Sequence, residues 1–285
     1  MTFSFSMKRN HRIRLLPLAA ALLLTASCQK VVTLDLQNTD PQLAIEGNLA
    51  DDGQPCTVLL SRSVDYTQTN TFPAVSGATV TLSDDAGGLE TLAETSTAGL
   101  YRGSKLLGQP GRRYTLRVDT GGQSYVAAST LPSPVVAFTG LHAQKSTVGN
   151  NIQLVPEYQD PAGGRNYYLF RQYRNGRLNK SIFTQNDEFT DGKPNARAIG
   201  GGGPGGGGNN ADDADKLASG DSVRVEMQNV DADVYEYFRT LNQILQGNPL
   251  FSTTPTDPKS NFSGGVLGYF SVHSRRQRTL IVPVL

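Results

Sequence analysis

The sequence predicts a mainly β protein: an N-terminal antiparallel sandwich, then a second β-rich domain that carries one amphipathic helix. Three observations support this. Short segments rich in β-branched and aromatic residues recur through the chain, separated by clusters of Gly, Asp, Asn and Pro. Apolar residues at helical spacing occur in one stretch, Val234, Tyr237, Phe238, Leu241, Ile244 and Leu245. Two prolines, Pro132 and Pro134, interrupt the strand pattern near the middle of the chain.

Residues 1–27 have the order of a secretory leader. Lys8, Arg9, Arg12 and Arg14 precede an apolar run of ten residues, 15–24, and then the small residues Ala26 and Ser27. A run of ten is too short to cross a membrane, which takes about 20 residues. Cys28 follows at once, so the leader resembles that of a bacterial lipoprotein, in which this cysteine is acylated before cleavage. Lipidation is therefore expected at Cys28, with the lipid as membrane anchor, 28–41 as a tether and the first domain at 42–131. Removing the leader takes away four of the 26 cationic residues and none of the 25 acidic ones, so the formal charge falls from +1 to −3. No nucleic-acid partner is expected of such a chain. Cys56, the other cysteine, sits in Cys56-Thr57-Val58-Leu59-Leu60 without a basic neighbour and is expected as a buried small hydrophobe.

Within 42–131 the expected strands are 43–47, 57–60, 78–82, 114–118 and 124–127. Turn chemistry separates them at Asp51-Asp52-Gly53, Asp84-Asp85-Ala86-Gly87-Gly88 and Gly121-Gly122. The motifs Gly77-Ala78-Thr79-Val80-Thr81-Leu82, Gly99-Leu100-Tyr101 and Gly111-Arg112-Arg113-Tyr114 resemble transthyretin-like and carboxypeptidase-regulatory-like modules, which implies a transthyretin- or Ig-like sandwich used as a spacer or docking unit. The second domain, 132–285, resumes with strands at 135–141, 151–158 and 166–174. Asn175-Gly176 is the strongest hairpin signal and returns the chain through 177–183. A loop at 193–216 contains the tract 200–208, eight glycines and Pro204, which offers no apolar surface to offset its ordering entropy and is expected to be mobile. A strand at 221–230 leads into the helix, with Asp231 or Asp233 as N-cap and Gly247 and Pro249 as stop signals. Residues 266–273 form a further strand, Arg275-Arg276-Gln277-Arg278 a turn or exposed edge, and 280–283 the close.

Taken in order, Leu43-Ala44-Ile45-Glu46-Gly47, Val58-Leu59-Leu60-Ser61-Arg62-Ser63, Gly99-Leu100-Tyr101, Asn186-Asp187-Glu188-Phe189-Thr190-Asp191-Gly192, Tyr235-Glu236-Tyr237-Phe238 and Asn261-Phe262-Ser263-Gly264-Gly265 resemble the Bacteroidota lipoproteins grouped as domain of unknown function 4249. The resemblance spans essentially the whole chain after the leader. It implies an outer-membrane lipoprotein that accompanies a TonB-dependent receptor, and it carries no catalytic residue to this chain. The periplasmic and cell-surface faces both remain open. Asp221-Ser222-Val223 also resembles an O-glycosylation motif of that phylum.

No catalytic, metal or cofactor site is expected from the remaining motifs. His142 and His273 lack a metal-type spacing, no Gly-x-Ser-x-Gly occurs, and the acids define no glycosidase pair. The candidate binding surface is the aromatic cluster Tyr167, Tyr168, Phe170 and Tyr173. In a strand Tyr168 and Phe170 share one face and Tyr167 and Tyr173 the other, so one face is expected to fill the core and the other to be available for binding. The expected function is a non-catalytic accessory or docking lipoprotein; the alternative is a lipoprotein that binds a glycan or peptide.

Overall fold

In the first half of the chain most strands bury alternate residues, whereas 154–156 and 168–170 are buried consecutively. The computed structural model describes residues 40–64, 71–147, 151–200, 216–246 and 257–285. The leader, Cys28, the tether up to residue 39, the tract at 201–215 and the stop signals Gly247 and Pro249 lie outside them. The first seven strands are β1 (Leu43–Ala50), β2 (Thr57–Arg62), β3 (Thr79–Asp84), β4 (Leu89–Glu94), β5 (Leu100–Arg102), β6 (Arg113–Thr120) and β7 (Gln123–Thr130). In β6, Tyr114, Leu116 and Val118 are fully buried while their neighbours in sequence are not. Gly121 and Gly122, both at positive φ (59° and 76°), make the two-residue turn that joins β6 to β7.

After the prolines come β8 (Phe138–Lys145), β9 (Ile152–Gln159), β10 (Tyr167–Arg174), β11 (Arg177–Asn186), β12 (Pro194–Asn195), β13 (Ser222–Val230), α1 (Ala232–Gln246) and β14 (Leu267–Ile281). The turn at Asn175-Gly176 forms as expected, with φ of 49° and 82° closing Arg174 against Arg177. The fold is mainly β. Eleven strands make one mixed sheet in the order β11-β10-β13-β14-β1-β2-β5-β4-β3-β6-β7, and β12-β9-β8 make a second. The β1–β14 pair is parallel. The long sheet curls until its last strand returns to β14: the Val272 N–H donates to Ser129 Oγ (2.9 Å), and Ala127 bridges Phe262.

Three hydrophobic clusters result. The first gathers Ile45, Val58, Leu82, Leu116 and Phe270; the second Phe138, Leu154, Tyr168, Phe170 and Val225; the third lies beneath α1. The prolines stand where the first cluster, which takes Leu131, gives way to the second, which takes Val136. The expected placement of everything after 132 in a second domain does not describe residues 262–272, because Phe262, Val266, Phe270 and Val272 pack in the first core. The reason is β14, which supplies β1 with its second ladder of hydrogen bonds while also pairing with β13.

Of the two expectations for Arg275-Arg276-Gln277-Arg278, a turn or an exposed edge, the turn is corrected, while β1 pairs with β14 only as far as His273. β14 runs unbroken through 275–278, since β13 pairs with it along that stretch and carboxylates neutralise Arg275 and Arg276. Arg275 Nη1 donates to Asp52 Oδ2 (2.7 Å), and Arg276 donates through Nη1 and Nη2 to the two oxygens of Asp51 (2.9 and 2.8 Å).

Of the two candidate caps, Asp231 holds α1. Its Oδ1 accepts from the Val234 N–H (3.0 Å), while Oδ2 accepts from Ser129 Oγ (2.6 Å) and the Thr130 N–H (2.9 Å) of β7. Asp231→Ala is therefore expected to cost about 2–3 kcal/mol, more than a cap alone, because it also strands two donors. Urea denaturation measures this, and a loss below about 1 kcal/mol would mean that the cross-link to β7 contributes nothing.

Candidate functional site

One face of the central sheet begins apolar and turns polar. Along β10 it carries Leu169, Arg171 and Tyr173; along β13, Val230, Gln228, Glu226 and Arg224; along β14, Tyr269, Ser271, His273, Arg275 and Gln277. The apolar end is covered by α1, whose Val234, Phe238 and Leu241 pack on Leu169, Val230 and Tyr269. Where the helix stops covering the sheet, a recess of about 360 Å³ opens, lined by Arg171, Tyr173, Arg224, Glu226, Gln228 and Arg275 together with Asn48, Thr57 and Gln277.

The floor of the recess is held by hydrogen bonds among its own groups. Glu226, 5% exposed, accepts from Gln228 Nε2 at Oε1 (2.6 Å) and from Gln277 Nε2 at Oε2 (3.1 Å). Arg275 Nε stands 3.5 Å from Glu226 Oε1, an ion pair too long for a good hydrogen bond. The Arg224 guanidinium carbon lies over the Tyr173 ring, 3.8 Å from its centroid, and Nη1 donates to Gln277 Oε1 (3.3 Å). Arg171 Nε is buried without a hydrogen-bond partner.

Behind Arg275 on the same strand lies His273, fully buried, with Nδ1 2.9 Å from Ser271 Oγ and Nε2 without a partner. Burial, and then the positive charges of Arg275 and Arg171, push its pKa down to about 3, so the ring is neutral. His142 is exposed on β8, its Nδ1 2.6 Å from Glu157 Oε1. The two histidines are thus on different sheets.

The aromatic cluster divides as its alternation requires, and its role is narrower than expected. Tyr168 and Phe170 are fully buried in the second core and are not part of any surface. Tyr167 packs on Tyr235 of α1, ring centroids 4.9 Å apart, and Tyr173 alone of the four lines the recess. Cys56 is buried, and its thiol is pushed up to about 12, chiefly by desolvation, which makes it inert. Ser222 is exposed at the start of β13.

A second polar cluster lies at the far end of β10. Carboxylate oxygens of Asp160, Asp187 and Asp191 lie within 4.8 Å of one another. Each oxygen set has a donor in the fold: Asp160 accepts from Tyr168 Oη and the Gly192 N–H, Asp187 from the Asn166 N–H (2.9 Å), and Asp191 from the Gly163 N–H (2.9 Å). Burial raises the Asp160 pKa despite those donors, with Asp187 and Asp191 adding to it. The cluster fastens the 160–166 and 187–192 loops together.

Arg171, Arg224, Glu226, Gln228 and Arg275 were not among the sequence candidates. The available signal was polar and charged residues at every second position in three separate strands, a pattern that single-strand motifs do not isolate.

Fold and site together define a mainly β protein with a cation-bearing recess on one sheet face; among the described residues no helix is long and apolar enough to cross a membrane. The chain belongs to the family described as domain of unknown function (DUF4249), whose model matches residues 29–279. No curated protein matches the chain.

Proposed function

We propose that this chain is a non-catalytic outer-membrane lipoprotein of the Bacteroidota kind, anchored through acylated Cys28 and acting as an accessory or docking component beside a TonB-dependent receptor. The observation that carries the non-catalytic part is the state of Ser271 and His273. They lie within hydrogen-bonding reach, yet both are sealed from solvent, and His273 is too weak a base at neutral pH to activate the hydroxyl. The leader pattern before Cys28 supports the anchor. A second reading, a ligand-binding lipoprotein of the cell envelope, is favoured by the recess over the polar ends of β10, β13 and β14.

The anchor has a direct test. Burying acyl chains contributes about 0.8 kcal/mol per methylene, so two or three chains make attachment effectively permanent. Cys28→Ser should abolish acyl labelling and release the protein from the membrane fraction, whereas Cys56→Ser should leave both unchanged. Recovery of the Cys28→Ser protein in membranes with no partner to retain it would sink the anchor. Pull-down of the lipidated protein from outer membranes tests the receptor partner, and the absence of any receptor barrel would remove the docking role.

A further inference from the structure

We propose that the recess on β10, β13 and β14 is a binding site for a small carboxylate ligand, with Arg171 and Arg224 meeting the carboxylate and the amides of Asn48 and Gln228 meeting its neighbouring hydroxyl or amide groups. This deepens the ligand-binding form of the reading above and rests on it; the docking form is independent of it.

The argument is one of charge and partners. Three guanidinium groups from three strands converge on one recess, and only Arg275 is paired, with Asp52 and Glu226. Among the described residues no carboxylate lies within ion-pair reach of Arg171 or Arg224, and Arg171 Nε has no hydrogen-bond partner. Like-charged groups gathered in one recess repel one another, and an anion between them offsets that repulsion. The contact of Arg224 Cζ with the Tyr173 ring holds the guanidinium at the recess, where its paired N–H groups suit a two-oxygen acceptor.

The floor selects the charge. Glu226 is buried there and retained by Gln228 and Gln277, so it offsets one of the three cationic charges and leaves a positive surplus that an anion neutralises. A volume of about 360 Å³ admits a monosaccharide or a dipeptide and little more. The remaining lining, amides and hydroxyls, suits the polar groups that flank the carboxylate in either a sugar acid or a peptide C-terminus.

Isothermal titration of the detergent-purified full chain tests this with two acids, sodium glucuronate and N-acetylglycylglycine, against glucose, N-acetylglycylglycinamide and inorganic phosphate. At least one acid should bind with a Kd of about 1 mM, as befits a ligand of this size, and tighter than its neutral counterpart and phosphate. Which acid binds identifies the source of the carboxylate. Arg171→Gln and Arg224→Gln should each weaken it about tenfold, and Glu226→Gln should tighten it, a change of opposite sign that general damage to the fold would not produce. Failure of both acids to bind overturns the site and leaves the docking reading untouched. A neutral compound that binds as well as its acid, unchanged in the arginine variants, leaves a ligand-binding protein but overturns the carboxylate assignment. Phosphate binding tighter than either acid does the same.

Discussion

Gly268→Ala is expected to cost about 3 kcal/mol or more and to unfold both large cores in a single transition. Gly268 has a φ of 99°, and an added Cβ would stand 2.0 Å from the carbonyl oxygen of Ile45, its partner in the parallel β1–β14 ladder. The obstacle is backbone, so it yields only if the two strands separate. Gly47 provides the comparison. A Cβ there would meet Phe270 Cδ2 at 2.8 Å and Leu116 Cδ2 at 2.9 Å, side chains that rotate aside, and overpacking of this kind costs about 1–3 kcal/mol. Urea denaturation of both variants, followed by tyrosine fluorescence, separates the cases. Equal shifts, or a Gly268→Ala protein within about 1 kcal/mol of the parent, would show that the ladder bends there at little cost.

Acid should destabilise the protein well before its carboxylates titrate. His273 has its folded-state pKa pushed down to about 3, whereas an unfolded chain carries an ordinary histidine near 6.5. As pH falls through 6.5 the unfolded state takes up a proton that the folded state refuses. The stability that this histidine supplies is therefore complete above about pH 6.5 and drains away towards pH 3, at a limiting slope of about 1.4 kcal/mol per pH unit and on the order of 5 kcal/mol in all. Asp160 and Asp231, whose pKa values burial raises, act in the other direction, contributing stability that is lost as pH rises through their folded values. Their contribution changes from about pH 3.8 up to their raised folded values, so His273 is read from the difference in slope between a variant and the parent. His273→Gln should flatten the slope of unfolding free energy against pH below about pH 6.5, whatever it does to stability at pH 7. An unchanged slope would assign the proton taken up on unfolding to other groups.

The fold class was legible because alternation and turn chemistry are local. Asn175-Gly176, Gly121-Gly122 and the spacing of Val234, Phe238 and Leu241 each act within a few residues, and each forms the element that its chemistry demands. What could not be read is what depends on partners far along the chain. Arg275 and Arg276 look like a break when only their neighbours in sequence are considered. They sit in mid-strand because Asp51 and Asp52, more than 200 residues earlier, neutralise them. The recess was missed for the same reason. Tyr173 was singled out as an aromatic, but the arginine that covers it arrives from β13 and the glutamate below it pairs across to β14. Burial also decides between chemically equal residues: Tyr168 hydrogen-bonds Asp160 inside the core while Tyr173, five positions on, faces the recess.

The parallel pairing of β1 with β14 sets a schedule for the newly made chain. β1 precedes its partner by more than 200 residues, so wherever the chain emerges in order the edge of β1 waits until nearly all of it is out. During that interval Ile45 and Leu49 have no β14 side chains to cover them, and the ladder that will hold residues 267–273 is open to any other extended segment. The amino-terminal strands can form their hairpins early, but they cannot close. Chaperone occupancy would therefore be longest on chains that are nearly, but not quite, full length, and a truncation before residue 266 would leave a sheet that remains adhesive for as long as it exists.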